Sequence, residues 1–452
     1  AVVAAPAFAQ DFTRYVAIGD SLTAGFMSGG LIAEVQRNSY PALLHRAATG
    51  RDDFQQPLAG SPGIPGLLDL QSLRPLVIAP VAGQGAPQNL NLTRPYDNLA
   101  VPGFRVRDVL QTPSSNALAG LILRPQGFGG ANMLQQAMLL RPTFATVWIG
   151  NNDVLGAATS GIVIDGVTLT PVASFEADLR TIVSTLRGGG AQLAMATIPN
   201  VTAIPFVTTL PPFVINPATN QPVLINGRPV SIVGPNGPLA ATDRVLLTAS
   251  TPLAQGFGIP AALGGNGQPL GTQFFLDGAE LATINARVTA YNNVIRTVAR
   301  EAGAALVDMN VIFDEVAAEG LHIAGLTFTE SFLTGGIFSY DGVHPTPFGY
   351  AFAANEFVKA INRQFDADID QIDFGPFLFG PAGRAGTFTS SAGALLVPEQ
   401  AIFAPSAAES LRRSLRVPTT EALLEIQRRR AGEGGPTPGN PGAPTDRAPA
   451  SL

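Results

Sequence analysis

The chain has no cysteine in 452 residues. Disulfides, zinc–thiolate centres and thiol nucleophiles are therefore excluded. Histidine is nearly as scarce, with three in all: His45, His322 and His344. They lie far apart and no His-Glu-x-x-His occurs, so a catalytic zinc site has no support. Charged residues make up only 13% of the chain, low for a soluble protein. Gly, Pro, Ser, Thr, Asn and Gln must face the water instead. Net charge is −6 and the one basic cluster is Arg428-Arg429-Arg430. Without a positive footprint, nucleic acid is not an expected partner. Beyond the N-terminus no run of about 18 apolar residues occurs, so no membrane span is expected. Also missing are Gly-x-Ser-x-Gly, the nucleophile turn of α/β-hydrolases, and Gly-x-Gly-x-x-Gly after the first strand, the dinucleotide fingerprint.

What is present is a large apolar core and a regular alternation of elements. With 452 residues, 46% of them hydrophobic, the chain can bury a sizeable core, as one large domain with insertions or as two domains. Ala7-Phe8-Ala9 before Gln10 has the small-x-small form of a signal-peptidase site at the end of an apolar stretch. Residues 1–9 read as the remainder of a leader, and the protein as exported. Tyr15 to Ile18 is an apolar strand, and Ser39-Tyr40-Pro41 opens a helix with proline in its first turn. Residues 50–95 are dense in Gly, Pro and Gln and read as a long excursion. Phe104 to Leu110 is a short helix, Met133 to Leu140 another, and Phe144 to Ile149 a strand. Phe175, Leu179, Ile182, Val183 and Leu186 form one helical stripe that Gly188-Gly189-Gly190 ends. Ala191 to Ile198 is the next strand.

Residues 202–272 differ in kind, with Pro and Gly turns and short apolar runs. They read as an insertion holding small hairpins at Asn226-Gly227 and Asn236-Gly237. Helical periodicity returns after the capping box Asp277-Gly278-Ala279-Glu280 and holds to Gly303. Ala304 to Asp308 is a strand, and Thr346-Pro347 opens a helix carrying Phe348, Phe352, Phe357 and Ile361. Strands alternating with helices imply a parallel sheet in a layered α/β domain. That domain spans 10–382, with 383–452 as a C-terminal extension. Glu409 to Arg416 and Thr420 to Arg430 read as short helices there, and the last 20 or so residues as disordered.

Chemistry concentrates where the first strand ends, at Gly19-Asp20-Ser21-Leu22-Thr23-Ala24-Gly25. A sharp turn there exposes one hydroxyl, Ser21, at the sheet edge where α/β folds bind ligands; the bland reading is turn chemistry. A nucleophilic serine needs a base, an orienting acid and an oxyanion site. Tyr340-Asp341-Gly342-Val343-His344-Pro345 offers both of the first two. Asp341, three residues upstream, could hold the His344 imidazole through Nδ1 and leave Nε2 to take the serine proton. Alone, such a pair is equally a surface turn. Gly150-Asn151-Asn152-Asp153 follows a strand, so Asn152 falls on the same sheet edge as Ser21, and an amide aimed there is worth about 10²–10³ in rate. Gly103, after Pro102 in another strand-to-helix loop, offers a backbone N–H. Asp20 and Asp153 read as supports that accept backbone N–H groups. His45 reads as structural, His322 as a loop residue and Trp148 as core.

Taken in order, Gly19-Asp20-Ser21-Leu22, Asn98 to Gly103, Gly150-Asn151-Asn152-Asp153 and Asp341-Gly342-Val343-His344 resemble the four short blocks of the GDSL/SGNH hydrolases. The resemblance covers roughly residues 12–365, outside the insertion and much of 50–95. It implies a three-layer α/β/α, flavodoxin-like fold around a central parallel sheet. It also implies ester hydrolysis through an acyl-serine, with no metal or organic cofactor. Ser21 would attack, His344 act as base then acid, and Asp341 orient it. The oxyanion hole would be the Ser21 and Gly103 N–H groups and the Asn152 side chain. The implied partner is a small-molecule or lipid ester, with peripheral contact to a lipid surface; oligomeric state stays open. Three readings follow: a secreted esterase or lipase; a carbohydrate O-deacetylase or acyltransferase using the same residues; and a surface protein keeping the fold without turnover. The apolar 202–272 segment, read as a lid over an acyl chain, favours the first, as does a single tryptophan in the chain.

Overall fold

The computed structural model describes residues 10–73, 76–112, 117–379 and 401–431. The expected leader remnant at 1–9 and the final 21 residues lie outside that range, as does all of 383–400. The strands of the main sheet are β1 (Tyr15–Gly19), β2 (Phe144–Trp148), β3 (Gln192–Ala196) and β4 (Ala305–Val307). The helices that cover it are α1 (Tyr40–Thr49), α2 (Asn152–Ser160), α3 (Val172–Gly188), α4 (Gly278–Ala302), α5 (Met309–Glu319) and α6 (Pro347–Phe365). All pairings are parallel, with Tyr15 opposite Phe144, Phe144 opposite Gln192 and Ala305 opposite Ala194.

On the far side of β1 the chain at 97–101 runs parallel to it, Ala17 bridging Asn98. Ala17 N–H donates to Asp97 O at 2.8 Å, and the Leu99 and Val101 N–H groups donate to Ala17 O and Gly19 O at 3.0 and 3.2 Å. Counting that edge, the spatial order is 2-1-3-4-5, the doubly wound arrangement of flavodoxin-like folds. Every residue of β1 and β2 is buried, as a parallel sheet covered on both faces requires. One face is sealed by α1 and α6, where Tyr40 stacks on Phe357 at 4.5 Å and meets Trp148 edge-on. The other is sealed by α3 and α4, where Phe175 stacks on Tyr291 at 4.2 Å. The three-layer α/β/α fold expected from the sequence is thus observed.

Local signals explain most of these elements. The α3 stripe Phe175, Leu179, Ile182, Val183 and Leu186 is the buried face of that helix. Asp277 caps α4 by accepting from Ala279 and Glu280 N–H, Glu280 reciprocates to Asp277 N–H, and Gly303 closes the helix at φ 63°. Thr346 caps α6 ahead of Pro347. The excursion at 50–95 differs from expectation. It holds an antiparallel hairpin, Leu68–Leu73 with Leu76–Pro80, to which Ile402–Phe403 adds in parallel. The insertion forms the Asn226-Gly227 hairpin, both residues at positive φ, and a second around Pro235 and Asn236. The chain divides into two compact units, Ala1–Val417 and Pro418–Leu452. Residues 401–417 belong to the first of these units. In the second unit, Thr420–Arg430 is a helix capped by Thr419.

Candidate active site

The turn after β1 is built by exclusion of side chains. A Cβ on Gly19 would lie 2.0 Å from Thr23 Oγ1 and 2.6 Å from Trp148 O, so only glycine lets the chain turn so close to β2. Residues Ser21–Ala24 then form one helical turn, capped by Asp20, whose Oδ1 accepts from Leu22 N–H at 3.1 Å. Gly25 ends it in the left-handed region at φ 72°. Asn98 Nδ2 donates to Thr23 O at 2.8 Å, tying the edge strand to this turn. Ser21 stands at the head of it, 3% exposed, and its backbone N–H has no acceptor among the described residues.

Asp341 and His344 meet in one tight loop. Oδ2 of the carboxylate lies 2.8 Å from His344 Nδ1 and also accepts from Gly29 N–H at 2.9 Å. Its Oδ1 accepts the N–H groups of Val343 and His344 at 2.9 and 2.8 Å. Burial pushes the Asp341 carboxyl up. The charge and hydrogen bond of the His344 imidazole, with the two backbone donors, outweigh it and hold the group below the ordinary carboxylate value. Phe26 covers the imidazole, with ring centroids 4.8 Å apart. His344 Nε2 is buried without a hydrogen-bond partner, and its residue lines the same cavity as Ser21.

The loop after β2 contributes the asparagines. Asn152 opens α2; its Nδ2 donates to Phe104 O at 3.0 Å and its Oδ1 is buried without a partner. Asn151, to which the sequence reading gave no part, donates from Nδ2 to Asp20 Oδ2 at 2.8 Å and lines the cavity beside Ser21. The doubled asparagine in Gly-Asn-Asn-Asp is its only signal in the sequence. Gly103 lies just past the edge strand at φ 79°, its N–H donating to no acceptor among the described residues. Asp153 Oδ2 accepts from Val106 N–H at 2.9 Å, which fixes the Gly103 loop against α2. Complete burial raises Asp20 to about 6 and Asp153 to about 7, against the hydrogen bonds they accept. The other histidines stand apart: His45 pairs with Asp53 at 2.8 Å, and exposed His322 contacts Thr327 Oγ1 at 3.0 Å.

The cavity shared by Ser21 and His344 has a volume of about 60 Å³. Its walls are apolar, from Leu22, Trp148, Ile204, Phe313 and Phe338, and Glu330 is its one acidic lining residue. The insertion reaches it only through Ala203 and Ile204. Leu210, Val214, Ile232, Leu239, Val245 and Leu270 of the insertion pack into a cluster of their own. Most of the segment read as a lid thus lines no part of this cavity. Other parts of the wall come from Pro199 to Val201, from α5 and from the loop around Glu330 and Phe338.

The chain belongs to the GDSL-like lipase/acylhydrolase family, whose sequence profile matches residues 15–357. It is accordingly an enzyme, a hydrolase of carboxylic esters. No curated protein sequence matches it significantly. Similar solved structures include Axe2, an acetylxylan esterase from Geobacillus stearothermophilus, at 14% identity and TM-score 0.34, covering 78% of this chain and 94% of that one. LAE5, an α/β hydrolase from the metagenome of Lake Arreo, Spain, is 17% identical, with TM-score 0.33 and coverage of 76% and 93%. A GDSL-like lipase from Parabacteroides merdae is 12% identical, with TM-score 0.32 and coverage of 76% and 94%.

Proposed function

We propose that this ester hydrolase works through an acyl-serine on Ser21 and acts on esters with short acyl chains. The observation that carries the reading is the buried Asp341–His344 pair, whose unpartnered Nε2 shares one narrow cavity with Ser21. In the acylation step Ser21 Oγ attacks the ester carbonyl carbon while its proton passes to His344 Nε2. The oxyanion is met by the Ser21 and Gly103 N–H groups and the Asn152 amide. Collapse of that intermediate breaks the bond to the alcohol oxygen, which leaves with the proton from His344. Water, deprotonated by the same imidazole, then releases the acid and restores the serine. Asp341 keeps the proton on Nδ1 and stabilises the imidazolium formed in each half-reaction.

The acyl size follows from the cavity. The apolar walls close around Ser21 and His344, in a cavity of about 60 Å³, favour a small acyl group. On this reading acetyl to butyryl esters are the expected substrates, ahead of long fatty-acyl chains. The same space accepts an acetyl group carried on a sugar, which makes O-deacetylation the second reading. Replacement Ser21→Ala tests the mechanism: turnover of p-nitrophenyl butyrate should fall at least about 10³-fold with the fold intact, and undiminished turnover refutes it. Comparing p-nitrophenyl butyrate with acetylated xylose then separates the two substrate readings.

A further inference from the structure

The loop that carries Gly103 is held from two sides. From α2 it receives Asn152 Nδ2 on Phe104 O and Asp153 Oδ2 on Val106 N–H. The second side is the end of the first compact unit, outside the 15–357 family match. An ideal Cβ on Gly103 would lie 2.5 Å from Ser414 O and 2.8 Å from Arg416 Cγ, so this segment presses on the back of the glycine. The Arg416 guanidinium lies 5.3 Å from the Phe104 ring centroid and binds Asp108 Oδ2 at 2.7 Å. Asp108 Oδ2 in turn accepts the Arg105 N–H at 2.9 Å. One side chain thus touches the glycine, the ring after it and the carboxylate that closes the loop.

The segment bearing Arg416 is itself anchored. Ala404 N–H donates to Ile78 O at 2.9 Å, Phe403 N–H to Ser250 Oγ at 2.7 Å, and Thr251 Oγ1 to Phe403 O at 3.1 Å. The Phe403 ring meets that of Phe206 edge-on at 6.1 Å, and Phe206 N–H donates to Gly342 O at 2.9 Å, inside the Asp341–His344 loop. The same stretch therefore braces both catalytic loops. Arg416 adopts φ +57°, a left-handed backbone that costs a non-glycine residue free energy, and the surrounding contacts hold it there.

We propose that Arg416 is a positioning residue for ester hydrolysis, clamping the Gly103 loop so that the Gly103 N–H is aimed at the oxyanion. This rests on the reading of Gly103 as an oxyanion donor. A donor held in the wrong place stabilises the transition state less, while the ground-state ester binds as before. The loss then falls on kcat rather than KM.

The variant Arg416→Gly separates this from a packing role, because glycine suits the left-handed backbone while the guanidinium is lost. In the full chain, with p-nitrophenyl acetate, kcat should fall roughly 10- to 100-fold. KM should stay within about twofold, with Tm unchanged or higher. Arg416→Lys, which keeps a charge for Asp108 but not the planar fork, should recover part of the loss. Asp108→Asn should lower kcat in the same sense, and combining it with Arg416→Gly should add little. Unchanged kcat in Arg416→Gly, or a loss that tracks a fallen Tm and is not recovered by lysine, overturns the proposal. Ser21→Ala is run beside them: if it retains turnover, the acyl-serine reading itself has failed; if it is inactive while Arg416→Gly is fully active, only the positioning role has.

Discussion

At the scale of single residues, the site depends on one carboxylate with a full set of partners. Asp341 accepts from Gly29, Val343 and His344 N–H groups as well as from the imidazole, so its charge is compensated though wholly buried. Asp341→Asn would leave a loop of similar shape but present an amide to Nδ1, favouring the wrong tautomer. A kcat loss of about 10³–10⁴-fold with little change in KM is expected, and a loss under tenfold would show that the imidazole does not depend on it. Glu330 is the one acidic side chain lining the cavity. Its charge should repel an anionic acyl group, so a half-succinate p-nitrophenyl ester should be a poor substrate, and Glu330→Gln should narrow its disadvantage against the butyrate. An unchanged ratio would contradict this. Asp341 and His344 were legible because both stand in one short turn, where spacing alone brings acid to imidazole. The bond from Asn151 to Asp20 was not, since it joins two strand ends whose register only the sheet fixes.

At the scale of elements, the periodic segments could be read and the compensated ones could not. Helix α3 declares itself through five buried positions at helical spacing. The hairpin at 68–80 does not, because a bulge between Leu70 and Ser72 breaks its alternation and its third strand, Ile402–Phe403, comes from near the far end of the chain. Likewise, the hydrophobic runs of 202–272 reveal that something is covered, but not that they cover one another. Acyl selectivity should therefore lie in α5 and the 330–338 loop. Phe338→Ala or Phe313→Ala should enlarge the cavity and raise the ratio of octanoate to butyrate turnover several-fold. Shortening the Asn226-Gly227 hairpin, whose strands are exposed, should leave that ratio unchanged. The opposite pattern would restore the insertion as the lid.

For the whole molecule, the buried acids make stability depend on pH. Burial raises Asp153 from an ordinary 3.8 to about 7. A carboxyl with a raised folded pKa binds its proton more tightly when folded, so its contribution to stability is lost as pH rises between about 4 and 7. Asp20, raised to about 6, acts in the same direction. Asp153→Asn keeps an acceptor for Val106 N–H and removes the buried charge. Its Tm relative to the parent should be higher at pH 8 than at pH 5, by a few degrees; a difference that does not vary with pH would contradict the assignment. The layered α/β fold was legible from the alternation of strands and helices. The bracing of the Gly103 loop by residues 414–416 was not, because no local pattern announces a contact between segments so distant in sequence. The central claim is that catalysis runs through a covalent bond to Ser21. Intact-mass and peptide mass spectrometry after treatment with a fluorophosphonate ester tests it most directly. One adduct per chain, located on Ser21, absent in Ser21→Ala and formed in step with loss of activity, is the predicted result; full turnover in a chain modified at Ser21, or inactivation with Ser21 unmodified, would contradict it.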